Sequence, residues 1–280
     1  MQNKIEDFNN IDVSVITPNF NGSRFIQRLT ESVRRQNFNL ELIIVDDCST
    51  DDSWEQLQLL AEKFSWIKIA RLEINSGPVV ARNQAIELAK GRFLAFHDVD
   101  DFWLPHKLST QIKFMLENEC TISYSDYRFI SEDGRHIGRR LKGLNKIGWH
   151  THHFTRYIGC LTVVLDRKKL PKFKFPQISP AYRAEDFLAW SNCIKESGSL
   201  FRCPHDLARY AVVPNSRSSN ASRAARSVWE LYRRVEKISI TLSAIYFFCY
   251  AINAIWKRFW YRPRLEIKEV DLDSQWAFLR

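Results

Sequence analysis

The first hundred residues alternate short β-branched runs with amphipathic stretches of helical spacing, and nothing else in the chain constrains its fold as tightly. Residues 12–17 (DVSVIT), 41–45 (ELIIV), 66–72 (WIKIARL) and 91–96 (GRFLAF) read as strands. Between them, 23–36, 52–64 and 78–89 carry helical periodicity, the last with Pro78 at its first turn. Strands joined by single helices of this length predict βαβ units, and hence a doubly wound α/β half with a mostly parallel sheet. A continuous apolar run such as ELIIV fits a strand covered on both faces.

In such a sheet, ligands collect beyond the carboxyl ends of the strands. Three polar loops follow those ends: residues 18–22 (PNFNG), 46–49 (DDCS) and 98–101 (DVDD). They are spread over about 80 positions but are expected on one sheet edge, around one crevice. Beyond Trp103 the pattern loosens. Helices are predicted at 105–117 and 184–196, and strands at 121–130 and 160–165, with a turn at 131–134. Phe187, Trp190 and Ile194 mark the buried face of the second helix.

Charge divides the chain. Residues 1–134 carry 14 Lys/Arg against 21 Asp/Glu, whereas 135–183 carry 12 against 1 and 202–264 carry 12 against 3. The basic second half therefore suits an anionic partner such as a diphosphate or a lipid headgroup. No nucleic-acid-binding pattern occurs, so nucleic acid is not expected. The six cysteines, at 48, 120, 160, 193, 203 and 249, have no paired spacing; they predict reduced thiols and no structural zinc. MQNKIEDFNN has no apolar core, so no secretory leader is expected and the protein should stay in the cytoplasm.

Near the other end, residues 238–256 (ISITLSAIYFFCYAINAIW) contain no charge and are flanked by Arg233-Arg234 and Lys257-Arg258. A helix of that length is about 28 Å long, close to a hydrocarbon core. Its Ser, Thr, Asn and Tyr residues favour an interfacial or buried helix over a span. Peripheral attachment to a membrane surface is the expectation.

Each candidate site residue has a structural reading beside its chemical one. Asp98 and Asp100 form an Asp-x-Asp of the kind that holds Mg²⁺ or Mn²⁺ with open positions for a diphosphate. The same carboxylates, with Asp101, could simply be a solvated turn facing the next helix N-terminus. His97 is a possible ligand, or a strand-end histidine bonded to a neighbouring carboxylate. Asp46-Asp47 could contact a base or ribose, or cap the following helix. Pro18 and Phe20 could form a flat platform for a base, and Arg82 could neutralise phosphate. Glu185-Asp186 opens a helix behind Arg183; either carboxylate could act as a general base, or merely favour the helix dipole.

Together, in this order, VSVITPNFN, LIIVDDCSTDDS, NSGPVVARNQAIELAKGRFLAFHDVDDFWLPHKL and AEDFLAW resemble the inverting family-2 glycosyltransferases of the GT-A fold. The tail, DLARYAVVPNSRSSN followed by YAINAIWK, is similar to a bacterial subgroup that builds teichuronic acid, capsule and O-antigen repeat units. The resemblance implies a GT-A catalytic domain over 1–221, with a nucleotide-sugar half at 12–104 and an acceptor half at 105–221. A helical membrane-associating segment at 222–264 and a tail at 265–280 would follow. It implies a UDP-sugar donor of the UDP-Glc or UDP-Gal type. Pro18, Phe20, Asn21, Asp47, Arg82, Asp98 and Val99 would bind the donor, and Asp100 the Mn²⁺ or Mg²⁺. Asp186 would be the catalytic base, with Glu185, Arg183, Trp103 and Arg217 in acceptor or supporting roles. Asp101 would orient the turn, and the loop is expected to be mobile without its ligands.

The chain departs from the family at three places. Phe20 stands where Tyr is common, His97 where an apolar residue is usual, and Tyr210 lacks the Arg that often follows it, a role Arg209 or Arg217 could take. The implied acceptor is a saccharide on undecaprenyl diphosphate at the cytoplasmic face of the inner membrane. The competing readings are a nucleotidyltransferase or metal-dependent phosphohydrolase using the same Asp-x-Asp, and a catalytically silent binding protein. A phosphatase of that type would need Asp followed by Gly-Thr, where this chain has Asp101-Phe102-Trp103.

Overall fold

The computed structural model describes residues 13–155, 157–178, 184–213, 221–263 and 265–266. Its first half runs β1 (Val13–Asn19), α1 (Ser23–Arg34), β2 (Leu40–Asp46), α2 (Ser53–Lys63), β3 (Ile67–Arg71), α3 (Pro78–Leu88) and β4 (Phe93–Phe96). Strands β3, β2, β1 and β4 lie side by side and parallel. Successive side chains on each strand serve opposite cores. Val13, Val15, Leu42, Ile44, Phe93 and Ala95 pack against α1 and α2. Ile16, Ile43, Val45, Leu94 and Phe96 pack against α3. That two-sided burial is the physical reason for the unbroken apolar runs.

The second half holds β5 (Phe102–Trp103), α4 (Lys107–Glu117), β6 (Ile122–Ser131), β7 (His136–Ile137), β8 (Lys146–Ile147), α5 (Trp149–Phe154), β9 (Val163–Asp166), α6 (Glu185–Ser197) and β10 (Leu200–Val212). Here the sheet becomes mixed. β9 inserts antiparallel between β4 and β6, and β10 runs parallel to β6 along nine of its residues, Ser123 to Ser131. Residues 160–162 of the expected strand instead form a tight 3-10 turn, because both Thr162 N and Thr162 Oγ1 donate back to Gly159 O, at 2.9 and 2.6 Å. β10 shifts register between Cys203 and Asp206 and again before Ala208, around Pro204, which has no N–H to give the ladder.

The chain closes with α7 (Ala221–Glu230), a π-turn at Leu231–Val235, α8 (Ile240–Trp260) and β11 (Leu265–Glu266). Ser239 caps α8, its Oγ accepting from Leu242 N. A third core of Ala184, Phe187, Leu188, Val228, Leu231, Tyr232, Ile238 and Tyr246 seats these helices on α6.

Candidate active site

Because β1, β2 and β4 are parallel and in register, the three polar loops leave on the same sheet edge. Asn19 and Asp46 face each other at the strand ends, and Asn19 Nδ2 donates to Asp46 Oδ1 at 2.8 Å. Asp46 is fully buried and also accepts from Ser49 N at 3.0 Å and pairs with Arg71 Nε at 3.3 Å. Asp46 therefore builds the loop and does not face the crevice. Asp47 accepts from Ser76 N at 2.7 Å and Gly77 N at 2.8 Å, fixing the approach to α3. Asn21 sits at φ 50 and bridges the first two loops; its Oδ1 accepts from Thr50 N at 2.8 Å and its N–H donates to Ser49 Oγ at 2.9 Å. A side chain at Gly22 would collide with Asn19 Oδ1 at 2.4 Å and press on Val99 at 3.0 Å. Pro18 is half-buried, whereas Phe20 is 48% exposed, an apolar ring turned to the open side of the site.

The acidic loop is held at four points. Arg82, buried on α3, pairs with Asp98 Oδ1 at 2.5 Å. Burial works against the Arg82 charge, but Asp98 outweighs it and holds the guanidinium above its ordinary pKa. Arg28 of α1 reaches Asp100 O at 2.6 Å while its guanidinium lies 3.8 Å over the Phe102 ring. Asp101 Oδ1 accepts from Ala211 N of β10 at 2.9 Å. The buried His97 ring contacts Asp98 O at 2.8 Å through Nδ1 and packs 4.5 Å from Trp103. These bonds tie the loop to α1, α3 and β10.

The structure revises two expectations here. His97 bonds the Asp98 backbone carbonyl, not a carboxylate, and burial lowers its pKa to about 4, so it is a neutral packing residue beneath the loop. Arg209 is 5% exposed and paired with Asp206, which removes it from any acceptor contact. Trp103 is likewise buried, its Nε1 donating to Leu161 O at 2.8 Å; it supports the loop from below. Arg183 and Arg217 lie outside the described residues.

Burial and the nearby Asp98 charge push Asp100 up to about 6. Asp101 is also raised well above its usual range, and its buried Oδ2 has no hydrogen-bond partner among the described residues. A hard divalent cation needs only one or two protein carboxylates beside diphosphate oxygens, and Asp98 and Asp100 can supply them. No group of three or more metal-ligating side chains occurs among the described residues.

Asp186 arrives from α6, 88 positions after Asp98. Its Oδ1 accepts from Phe187 N at 2.7 Å, and Oδ2 has no hydrogen-bond partner among the described residues. Glu185 beside it is buried and within reach of the Arg82 charge. The Cys160 thiol marks where the elements meet. Burial pushes its pKa up, and it feels Arg82, Asp98, Asp186 and Asp101 together. Tyr127 is raised in the same way, by burial and by Tyr210, Asp101 and Asp186. The acidic loop, Arg82 and Asp186 thus lie around one buried thiol.

Sequence reading missed Arg28, the Ala211 N–H, Cys160 and Tyr127. It also missed Phe175, whose ring lies 5.3 Å from the Arg82 guanidinium and whose backbone is clasped by Asn83 at 2.8 Å twice. An arginine beside Phe25, Ile26 and Leu29 on the buried side of α1 was the available signal for Arg28. The others depend on long-range pairing and had none.

Known proteins are similar to this chain in sequence and fold. A putative teichuronic acid biosynthesis glycosyltransferase, TuaG of Bacillus subtilis, is 36% identical over 247 residues, 88% of this chain and 97% of its own. WfgD of Escherichia coli, named UDP-Glc:alpha-D-GlcNAc-diphosphoundecaprenol beta-1,3-glucosyltransferase, is 34% identical, covering 78% of this chain and 84% of its own. The crystal structure of S. aureus TarS 1-349 with UDP-GlcNAc superposes with a TM-score of 0.65 at 19% identity, over 89% of this chain and 73% of TarS, and so shares the GT-A fold. The family description "Glycosyl transferase family 2" matches residues 14–170, the span that carries β1 to β9 and the acidic loop. With that match and those relatives added to the crevice geometry, the chain belongs to glycosyl transferase family 2.

Proposed function

We propose that the protein transfers a hexose from a UDP-sugar, of the UDP-Glc or UDP-Gal type, to a saccharide carried on undecaprenyl diphosphate, forming a β-linkage during repeat-unit synthesis for an O-antigen or capsule. The observation that carries the reading is the gathering of Arg82, Asp98, Asp101 and Asp186 around the buried Cys160 thiol, with Asp186 Oδ2 left without a hydrogen-bond partner among the described residues. The named specificity of WfgD supports the donor and acceptor classes. The work is peripheral, at the cytoplasmic face of the inner membrane.

Phe20 and Pro18 present the flat face on which the uracil stacks, with Asp47 at the base edge and Asn21 and Val99 shaping the wall. Asp98 stands at the ribose while Arg82, paired with it, supplies positive charge toward the diphosphate. Asp100, with Asp98 beside it, would hold Mn²⁺ or Mg²⁺. When bound, the divalent ion offsets the charge that develops on the departing diphosphate. Asp186 Oδ2 takes the proton of the acceptor hydroxyl as its oxygen attacks the anomeric carbon opposite the leaving group. The new C–O bond forms, the bond to the diphosphate breaks, and UDP leaves with the electron pair. An α-linked donor thus gives a β-linked product.

Asp186→Ala is the test. It should retain UDP and Mn²⁺ binding in calorimetry while transfer falls by about 10²–10⁴-fold, the usual worth of a positioned general base. Unchanged transfer would remove Asp186 from the chemistry.

A further inference from the structure

We propose that α8 is an in-plane membrane helix that seats the enzyme on an anionic lipid surface through one exposed apolar stripe. This deepens the proposed lipid-linked acceptor, but its test needs neither donor nor acceptor. Ile245, Phe248, Ile252, Ile255 and Phe259 recur at steps of three and four along α8, and each is 48–66% exposed. Large apolar side chains in such a continuous stripe mark an interaction surface.

The opposite stripe belongs to the body. Tyr246 is fully buried, its hydroxyl 2.6 Å from His150 Nδ1. Asn253 Nδ2 donates to Phe154 O at 2.9 Å, and Lys257 Nζ donates to Tyr127 OH at 3.2 Å. Tyr246, Asn253 and Lys257 tie this side of the helix to the globular domain, which argues against reading its 18-residue apolar window, at mean hydropathy 1.3, as a span. Lying flat, it buries the outer stripe only to headgroup and upper acyl depth.

Charge identifies the occupant as anionic lipid and not a second copy. No acidic residue occurs from 237 to 263. Arg234 and Lys237 are exposed just before the helix, and Arg262 just after it. Arg139 stacks 4.2 Å over Trp260, which with Trp256 forms a stacked pair at the carboxyl end. Two like-charged copies would repel across this rim, whereas anionic headgroups neutralise it. Tryptophan beside arginine is also suited to the headgroup layer. On the inner side of α8, Lys257 meets the buried Tyr127 hydroxyl, which also feels Asp101 and Asp186.

The full-length protein should co-sediment with phosphatidylethanolamine vesicles containing phosphatidylglycerol, and much less with phosphatidylcholine alone. The Phe248→Asp/Ile252→Asp variant, altered only at exposed positions, should keep its melting temperature and bind at least about tenfold more weakly. Bromines placed high on the acyl chains should quench Trp256 and Trp260 more than bromines near the bilayer centre. The inference is overturned by wild-type protein that stays in the supernatant, by deep quenching with resistance to alkaline extraction, or by a dimer in sedimentation that the double variant abolishes while vesicle binding is unaffected. If the variant misfolds, wild-type binding and quenching still decide. Loss of transfer without loss of vesicle binding would count against the enzymatic reading alone.

Discussion

Lys107 shows how single residues under the site are balanced. It is fully buried, its Nζ has no hydrogen-bond partner among the described residues, and it lies 4.4 Å over the Trp103 ring. Burial lowers its pKa from 10.5 to about 7. Between those values the unfolded chain binds a proton that the folded chain does not. Stability therefore falls as pH drops from about 10.5 to 7 and levels off below. Lys107→Met should remove that slope and raise stability at neutral pH by roughly 2–4 kcal/mol, read from denaturant midpoints at pH 7 and pH 9. Asp101 is the opposite case. Burial, with Asp100 and Asp98 beside it, raises its pKa, and its Oδ1 accepts from Ala211 N; Asp101→Asn keeps that acceptor and should fold with near-normal stability. Asp101→Ala strands a buried N–H and should cost about 1–3 kcal/mol in the same titration, with weaker donor binding.

Among elements, α5 joins the chemistry to the periphery. His152 Nε2 lies 2.9 Å from Phe187 O on α6, one residue from Asp186, and its ring stacks on Phe187 at 4.1 Å. His153 Nε2 lies 2.5 Å from Glu236 Oε2, and Glu236 Oε1 accepts from Ser191 at 2.7 Å and Lys195 at 3.3 Å. Glu236→Ala would leave this buried histidine and serine unpaired at the foot of α6. The expected result is a loss of about 3–5 kcal/mol in stability, with a fall in kcat larger than any change in KM for donor.

The same scale explains what the sequence disclosed. Elements β1 to β4 were legible because each strand is covered on both faces and each helix is local, so period and length sufficed. The three loops were legible as a site because parallel strands force their ends to one edge. β9 was legible in part: residues 163–165 of the expected strand hold, while Thr162 folds residues 160–162 into a turn. β10 was not, because Pro204 with two register shifts breaks the alternation that marks a strand. The latch on Asp101 and the walls at Cys160 and Tyr127 depend on those strands, so they were hidden with them. WHTHHF gave no periodic signal, since a six-residue helix spans less than two turns.

At the level of the whole molecule, the Asp101–Ala211 bond spans 110 positions of chain. Synthesis proceeds from the amino end, and domains assemble as they emerge. The donor half can therefore be complete while its acidic loop still lacks the strand that fixes it. The ribosome must release residue 211 before the loop locks, and α8 emerges only afterwards. A nascent chain thus matures its catalytic centre late, and acquires its proposed lipid address later still.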